Sequence, residues 1–182
     1  LLTQNSIPII SSETLVLNRS PKIRFIVNMM QLAVQPNNSE VKIEILNFIS
    51  DLKDIKDKHD FFESLVNSSP SELFYIFKEF NFDIFRQTSF YDAIEYLIRA
   101  FNLTNIADAY IQFFLDEVLN FSISQQASFV SFLTFWEEKK EKFSVVSKEG
   151  LDAVQIMTIH KAKGLEFPVV IFPYADLENY RE

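Results

Sequence analysis

The sequence contains no cysteine. That excludes disulfides, thiolate nucleophiles and Cys-based zinc sites. It suits a reducing compartment, and a cytoplasmic location is the expectation. Glycine is nearly absent too, with only Gly150 and Gly164. So few positions of cheap positive φ argue against a turn-rich β-sandwich or barrel and for helices. No apolar run is long enough to span a membrane, and the start lacks the basic-then-apolar pattern of a signal peptide. The chain opens at Leu1-Leu2 without an initiator Met and stops after Tyr180-Arg181-Glu182, which reads as an excised fragment.

What is present is acid and phenylalanine. Seventeen Lys and Arg against 25 Asp and Glu give 17 − 25 = −8, a field that disfavours broad nonspecific binding to nucleic acid. A local nucleic-acid site remains open. Twenty phenylalanines supply a real core for 182 residues.

The patterning divides the chain into three. Residues 1–20 read as a strand and its exit, with Ile7-Pro8-Ile9-Ile10 as the apolar run. Residues 21–150 read as helices. Ser20-Pro21 opens the first, carrying Ile23, Ile26, Val27, Met30 and Val34 at helical spacing. Ser39 caps the second. Asp60 to Val66 forms a short third. Ser69-Pro70 opens another, bearing Leu73, Phe74, Phe77 and Phe80. Stretches 89–101, 107–121 and 125–143 follow. The run Glu137-Glu138-Lys139-Lys140-Glu141-Lys142 reads as a solvated helix end, since opposite charges fall at i,i+3 and i,i+4. The Phe stripe reads as core. Asp116-Glu117 lies inside an amphipathic helix and reads as surface charge.

Residues 151–182 change character. Val154 to His160 alternates as a strand, and Phe167-Pro168-Val169-Val170-Ile171-Phe172-Pro173 is the continuous apolar run of a buried, parallel strand. The expected fold is therefore mainly α, a multi-helix insertion attached to a small α/β piece. Between the two strands lies the chain's densest polar string, Thr158-Ile159-His160-Lys161-Ala162-Lys163-Gly164-Leu165-Glu166. In open α/β sheets ligands bind at strand carboxyl ends. Lys163 beside Gly164 suits a phosphate, which needs close backbone approach and a point charge. Glu166 cannot favour that phosphate but suits the hydroxyls of a sugar. Thr158 and His160, on one strand face, suit a second phosphate or a base. Each residue alone is ordinarily structural. Their order in one string gives them weight.

Residues 154–170, from Val154 through Thr158, His160, Lys163-Gly164-Leu165-Glu166-Phe167-Pro168 to Val170, closely resemble motif V of the UvrD/Rep-like superfamily 1 DNA helicases, in the form of the AddA/RecB-type helicase–nuclease branch. Ile7 to Leu15 looks like that branch's exit from motor subdomain 2A. The resemblance implies that 21–150 is the helical 2B insertion, and that 1–20 and 151–182 belong to RecA-like subdomain 2A. It implies a parent that is an ATP-dependent helicase, with or without an exonuclease. Such a parent uses ATP with Mg2+ and works on single-stranded and duplex DNA in repair or recombination. The resemblance also admits a partner, in the form of a second helicase–nuclease subunit. By resemblance, Thr158 and His160 contact single-stranded DNA. Glu166 binds the ribose of ATP, with Lys163 and Gly164 shaping the turn near phosphate. The middle of the chain matches only by position and helical character.

No Gly-x-x-x-x-Gly-Lys phosphate loop occurs, and Gly150 and Gly164 alone cannot make one. No acidic pair suits magnesium. The expectation is a fragment inactive alone, with no catalytic residue and no metal ligand of its own. The alternative is a non-catalytic helical protein- or DNA-docking module of a degenerate helicase relative. Residues 40–150 hold 19 acids and 11 bases, which favours protein over DNA there.

Overall fold

The computed structural model describes residues 9–10, 16–75, 77–104, 108–124, 126–143 and 154–172. Strand β1 (Ile9–Ile10) pairs in parallel with β2 (Val154–Gln155), Ile9 opposite Val154 and Ile10 opposite Gln155. Eight helices lie between them among the described residues: α1 (Pro21–Val34), α2 (Ser39–Leu52), α3 (Lys58–Leu65), α4 (Pro70–Phe74), α5 (Phe82–Gln87), α6 (Phe90–Ala100), α7 (Ala109–Ser124) and α8 (Phe129–Lys139). A single helical turn, α9 (Ile159–Ala162), follows β2. The chain is mainly helical, as the composition implies. None of the helices among the described residues is long and apolar enough to cross a membrane.

Helix α1 is the hub. It packs on α2, α6, α7 and α8. Phe25, Met29 and Leu32 are buried alongside Ile23, Ile26, Val27 and Met30. Arg24, Asn28 and Gln31 leave one narrow polar stripe, and the rest of the helix is covered from several sides. Val34, expected on the buried face, is instead exposed, because it lies at the helix end. Pro21 holds the first position, where a missing N–H costs nothing, but the Ser20 side chain makes no capping bond.

Other boundaries follow side-chain caps. Asn38, not Ser39, caps α2: the Val41 N–H donates to Asn38 Oδ1 at 3.1 Å. Asp57 caps α3, so that helix starts two residues before the expected Asp60. Ser69 and Glu72 form a reciprocal capping box on α4. Helix α4 ends at Phe74, so Phe77 and Phe80 do not continue it. Asn81 accepts from the N–H groups of Asp83 and Ile84 and starts α5 instead. The competing cap wins over the apolar spacing.

Those phenylalanines still pack together. Phe74 stacks on Phe82 (5.6 Å between centroids) and meets Phe80 edge-on at 5.1 Å. A second aromatic group joins Phe114, Phe132 and Trp136, with Phe114 edge-on to both. Edge and offset pairs add about 0.5–1.5 kcal/mol each beyond burial. The Phe stripe is core, as its spacing implies. The charge run ending α8 is solvated, and Lys140 pairs with Glu137 at 2.6 Å.

Entry and exit of the helical block meet. A 3-10 turn at Leu17–Arg19 precedes α1, and the Leu17 N–H donates to the Phe143 carbonyl at 2.8 Å. Asn18 Nδ2 reaches Glu141 Oε1 at 3.4 Å. The helices are thus an excursion between two neighbouring strands.

The apolar run 167–172 is not a strand. Val170 is 73% exposed and Ile171 80%. A buried parallel strand needs a sheet neighbour on each side and cover on both faces. Among the described residues the sheet has only β1 and β2. Pro173, the last residue of the expected strand, lies outside the described residues.

Candidate functional site

The polar string sits on a short, exposed rise after β2. The strand ends at Gln155, before Thr158 is reached. Thr158 is extended (φ −75, ψ 156) and precedes the turn of α9, while His160 lies within that turn. The alternation expected to put Thr158 and His160 on one strand face therefore stops short of both. Local helix formation replaces it: the Ala162 N–H donates to the Thr158 carbonyl at 3.0 Å.

The residues that follow form a tight turn. The Leu165 N–H donates to the Ala162 carbonyl at 3.0 Å. Lys163 has φ −61 and ψ 120, and Gly164 has φ +84. That is the type II turn, whose third residue needs positive φ. Space does not demand glycine here, since nothing lies within 4 Å of where a Cβ would stand. Backbone conformation does. Gly164 fixes how Lys163 and Glu166 leave the turn on its two sides.

Thr158, His160, Lys163 and Glu166 are all exposed. Among the described residues none of their side chains makes a hydrogen bond or ion pair with another, so their polar atoms are available. Ile156, Ile159 and Leu165 are exposed beside them. Exposed apolar and polar groups are thus interleaved along one compact stretch. The residues expected to meet a nucleotide and a DNA strand are thus brought onto one short stretch. No group of acids or histidines able to hold a metal occurs among the described residues.

Comparison with known proteins agrees with this segment's pattern. The UvrD-like helicase C-terminal domain family matches residues 11–180. The chain belongs to that family. It is also similar to an ATP-dependent helicase/nuclease subunit from Oceanobacillus iheyensis, with 30% identity over 142 residues. The match covers 75% of this chain and 10% of the relative. The chain therefore spans about a tenth of that relative's length. No solved structure matches the chain.

The family match spans the helical block as well as the polar turn. Asp116 is exposed on α7, as a surface acid should be, but Glu117 is half-buried. Burial pushes its carboxyl above the usual range, Lys139 opposes this, and Asp116 adds to the rise. One feature is not visible in the sequence: a groove where Lys53 meets Phe77 and Glu79, which lie far from it along the chain. No local motif signals it, because it forms where two helix ends and a loop converge.

Proposed function

We propose that this chain is part of the motor of an ATP-dependent DNA helicase of helicase–nuclease type, and that the turn at 158–166 links its two ligands. Glu166 accepts hydrogen bonds from the ribose hydroxyls of ATP. Lys163 lies near the phosphates, on the turn that Gly164 sets. Thr158 and His160 contact single-stranded DNA. The helical block 21–150 is the 2B-type insertion, and 1–20 with 151–182 belong to subdomain 2A.

The observation that carries this reading is the turn itself. Glu166, Lys163, Thr158 and His160 are all exposed within one short string, which leaves a carboxylate suited to a sugar, a lysine suited to a phosphate and two groups suited to DNA free to meet ligands. The helical turn at 159–162 and the Lys163-Gly164 turn then set the spacing between the two ligands, so a change at the nucleotide side is felt at the DNA side. The donor set fits the sugar and one phosphate of ATP and no more. Mg2+ and the remaining phosphates would be held by other parts of the parent, so the chain alone would neither hydrolyse ATP nor unwind duplex DNA. A cytoplasmic parent with a second subunit fits the same reading.

The test uses the intact parent. Glu166→Ala should raise the KM for ATP, and His160→Ala should reduce stimulation of ATP hydrolysis by single-stranded DNA while sparing the basal rate. Wild-type kinetics in both variants would overturn the assignments.

A second reading is favoured by the acidic balance of 40–150, 19 acids against 11 bases. In it the helical block is a docking module of a relative that has lost motor function. A parent with a phosphate loop and DNA-dependent ATP hydrolysis would eliminate it.

A further inference from the structure

Helix α3 is held differently from its neighbours. Among the described residues, every other helix from α1 to α8 buries two or more side chains, whereas α3 buries none. Its apolar groups, Phe61, Phe62 and Leu65, and Val66 just beyond them, are only half-buried against the core. Phe61 and Phe62 lie 6.2 Å apart, and neither joins the aromatic group around Phe74. A cleft of about 440 Å³ beside Phe61, shared with Ile55 and Phe77, leaves that ring unclasped on one side.

The helices on either side of α3 are closed without it. The Ile55 N–H donates to the Ser50 carbonyl at 2.9 Å and finishes α2, with Asp54 (φ 52) as the left-handed residue. The Ser69–Glu72 capping box starts α4. Neither neighbour therefore loses its helix end when α3 moves away. Two lysines hold α3 at its ends. Lys58 Nζ lies 2.5 Å from Asp51 Oδ1, an exposed pair of little strength. Lys42 is 5% exposed, and its ammonium donates to the Ser68 carbonyl at 2.7 Å and to the Val66 carbonyl at 3.3 Å. Bonds from a buried ammonium make the stronger catch.

We infer that α3 is a flap, which undocks from α2 as a unit while the rest of the helical block stays folded. The links at 54–57 and 66–68 absorb the movement. A segment with few buried apolar contacts is the kind that opens separately from its surroundings. Opening bares Phe61, Phe62, Leu65 and Val66 together with the side of α2 that they cover. The block thus carries an apolar surface that the closed state hides, and Lys42 is the catch that sets how often it appears. This device does not rest on the helicase reading, and none of its residues belongs to the 158–166 turn.

Amide hydrogen exchange on the 182-residue chain should find residues 62–66 at least about tenfold less protected than α1, at rates that low urea leaves unchanged. A double-mutant cycle then reads the catch. Glu63→Pro, at an exposed position, removes an interior helix N–H and holds the flap open, while circular dichroism should show the other helices intact. Lys42→Met should raise the unfolding constant of the unaltered chain about tenfold or more, the effect of losing hydrogen bonds from a charged group. In the Glu63→Pro background the same change should be less than about twofold, because the catch is already undone. Equal effects in both backgrounds would make α3 part of a single cooperative unit and overturn the proposal. So would protection at 62–66 equal to that of α1, collapse of the whole block in Glu63→Pro, or an inert Lys42→Met in the unaltered chain.

Discussion

Lys22 reaches from the first turn of α1 to Asp108, just before α7, with Nζ 2.7 Å from Oδ2. The same ammonium donates to the Leu103 carbonyl at 2.7 Å. One cation therefore ties the hub helix to both ends of the segment joining α6 to α7. Asp108 also accepts from the Tyr110 N–H at 3.0 Å, which holds its carboxylate in place.

A double-mutant cycle with Lys22→Met and Asp108→Asn should give a coupling of about 1 kcal/mol, the upper part of the range for partly exposed pairs. Lys22→Met alone should cost more than Asp108→Asn alone, because it also strands the Leu103 carbonyl. Urea unfolding of the four proteins measures both quantities. Zero coupling would show the pair to be incidental.

Glu117 gives a pH signature. Its carboxyl is raised in the folded chain, chiefly by burial, so the folded state holds that proton more tightly than the unfolded state. The resulting stabilisation is complete below the ordinary value of 4.5 and is lost as pH rises through the higher folded value. At neutral pH the ionised group is a liability. Glu117→Gln should therefore raise Tm at pH 7 and leave it unchanged or lower at pH 4. An equal shift at both values would refute a titration-based effect.

Asn102 has φ 50 in a position that glycine adopts without strain. Asn102→Gly should relieve up to about 1 kcal/mol of left-handed strain, less the larger entropy glycine has when unfolded. The expected net result is a gain of a few tenths of a kcal/mol in chemical denaturation. Asn102→Val, which is β-branched, should lose about 1–2 kcal/mol at the same position.

Gly164 offers the matching functional prediction. Gly164→Val meets no steric obstacle, yet it cannot hold φ +84 cheaply. Global stability of the chain should scarcely change, because the turn is exposed. In the intact parent, DNA stimulation of ATP hydrolysis should fall, since Lys163 and Glu166 would leave the turn in altered directions. A stable variant with full stimulation would show that the turn's shape is irrelevant to coupling.

These residues also show what can be read from a sequence and what cannot. Pro21 and Ser69-Pro70 announce helix starts through chemistry local to the backbone, and both helices begin there. Phe74, Phe77 and Phe80 keep helical spacing, but Asn81 offers a rival cap, and only the packing of Phe82 on Phe74 decides between them. Segment 167–172 has a strand's composition without a strand's neighbours, and pairing is not a property of one segment. Thr158 to Glu166 is legible as a string, whereas the helical turn at 159–162 that separates Thr158 from the Lys163-Gly164 turn is not. The groove at Lys53, Phe77 and Glu79 is illegible because its parts meet only after α2, α6 and the α4–α5 link have packed.

The contact between Leu17 and Phe143 has an architectural consequence. A chain that leaves a sheet and returns to the adjacent strand leaves the host pairing of Ile9–Ile10 with Val154–Gln155 undisturbed. Once folded, the excursion behaves as a short loop, whatever number of residues it holds, since the entropy of closing it is settled by its own core. The helical block can thus lengthen, shrink or acquire new surfaces while the strands that frame it stay in register. Such an arrangement lets one scaffold carry different attachments without being redesigned.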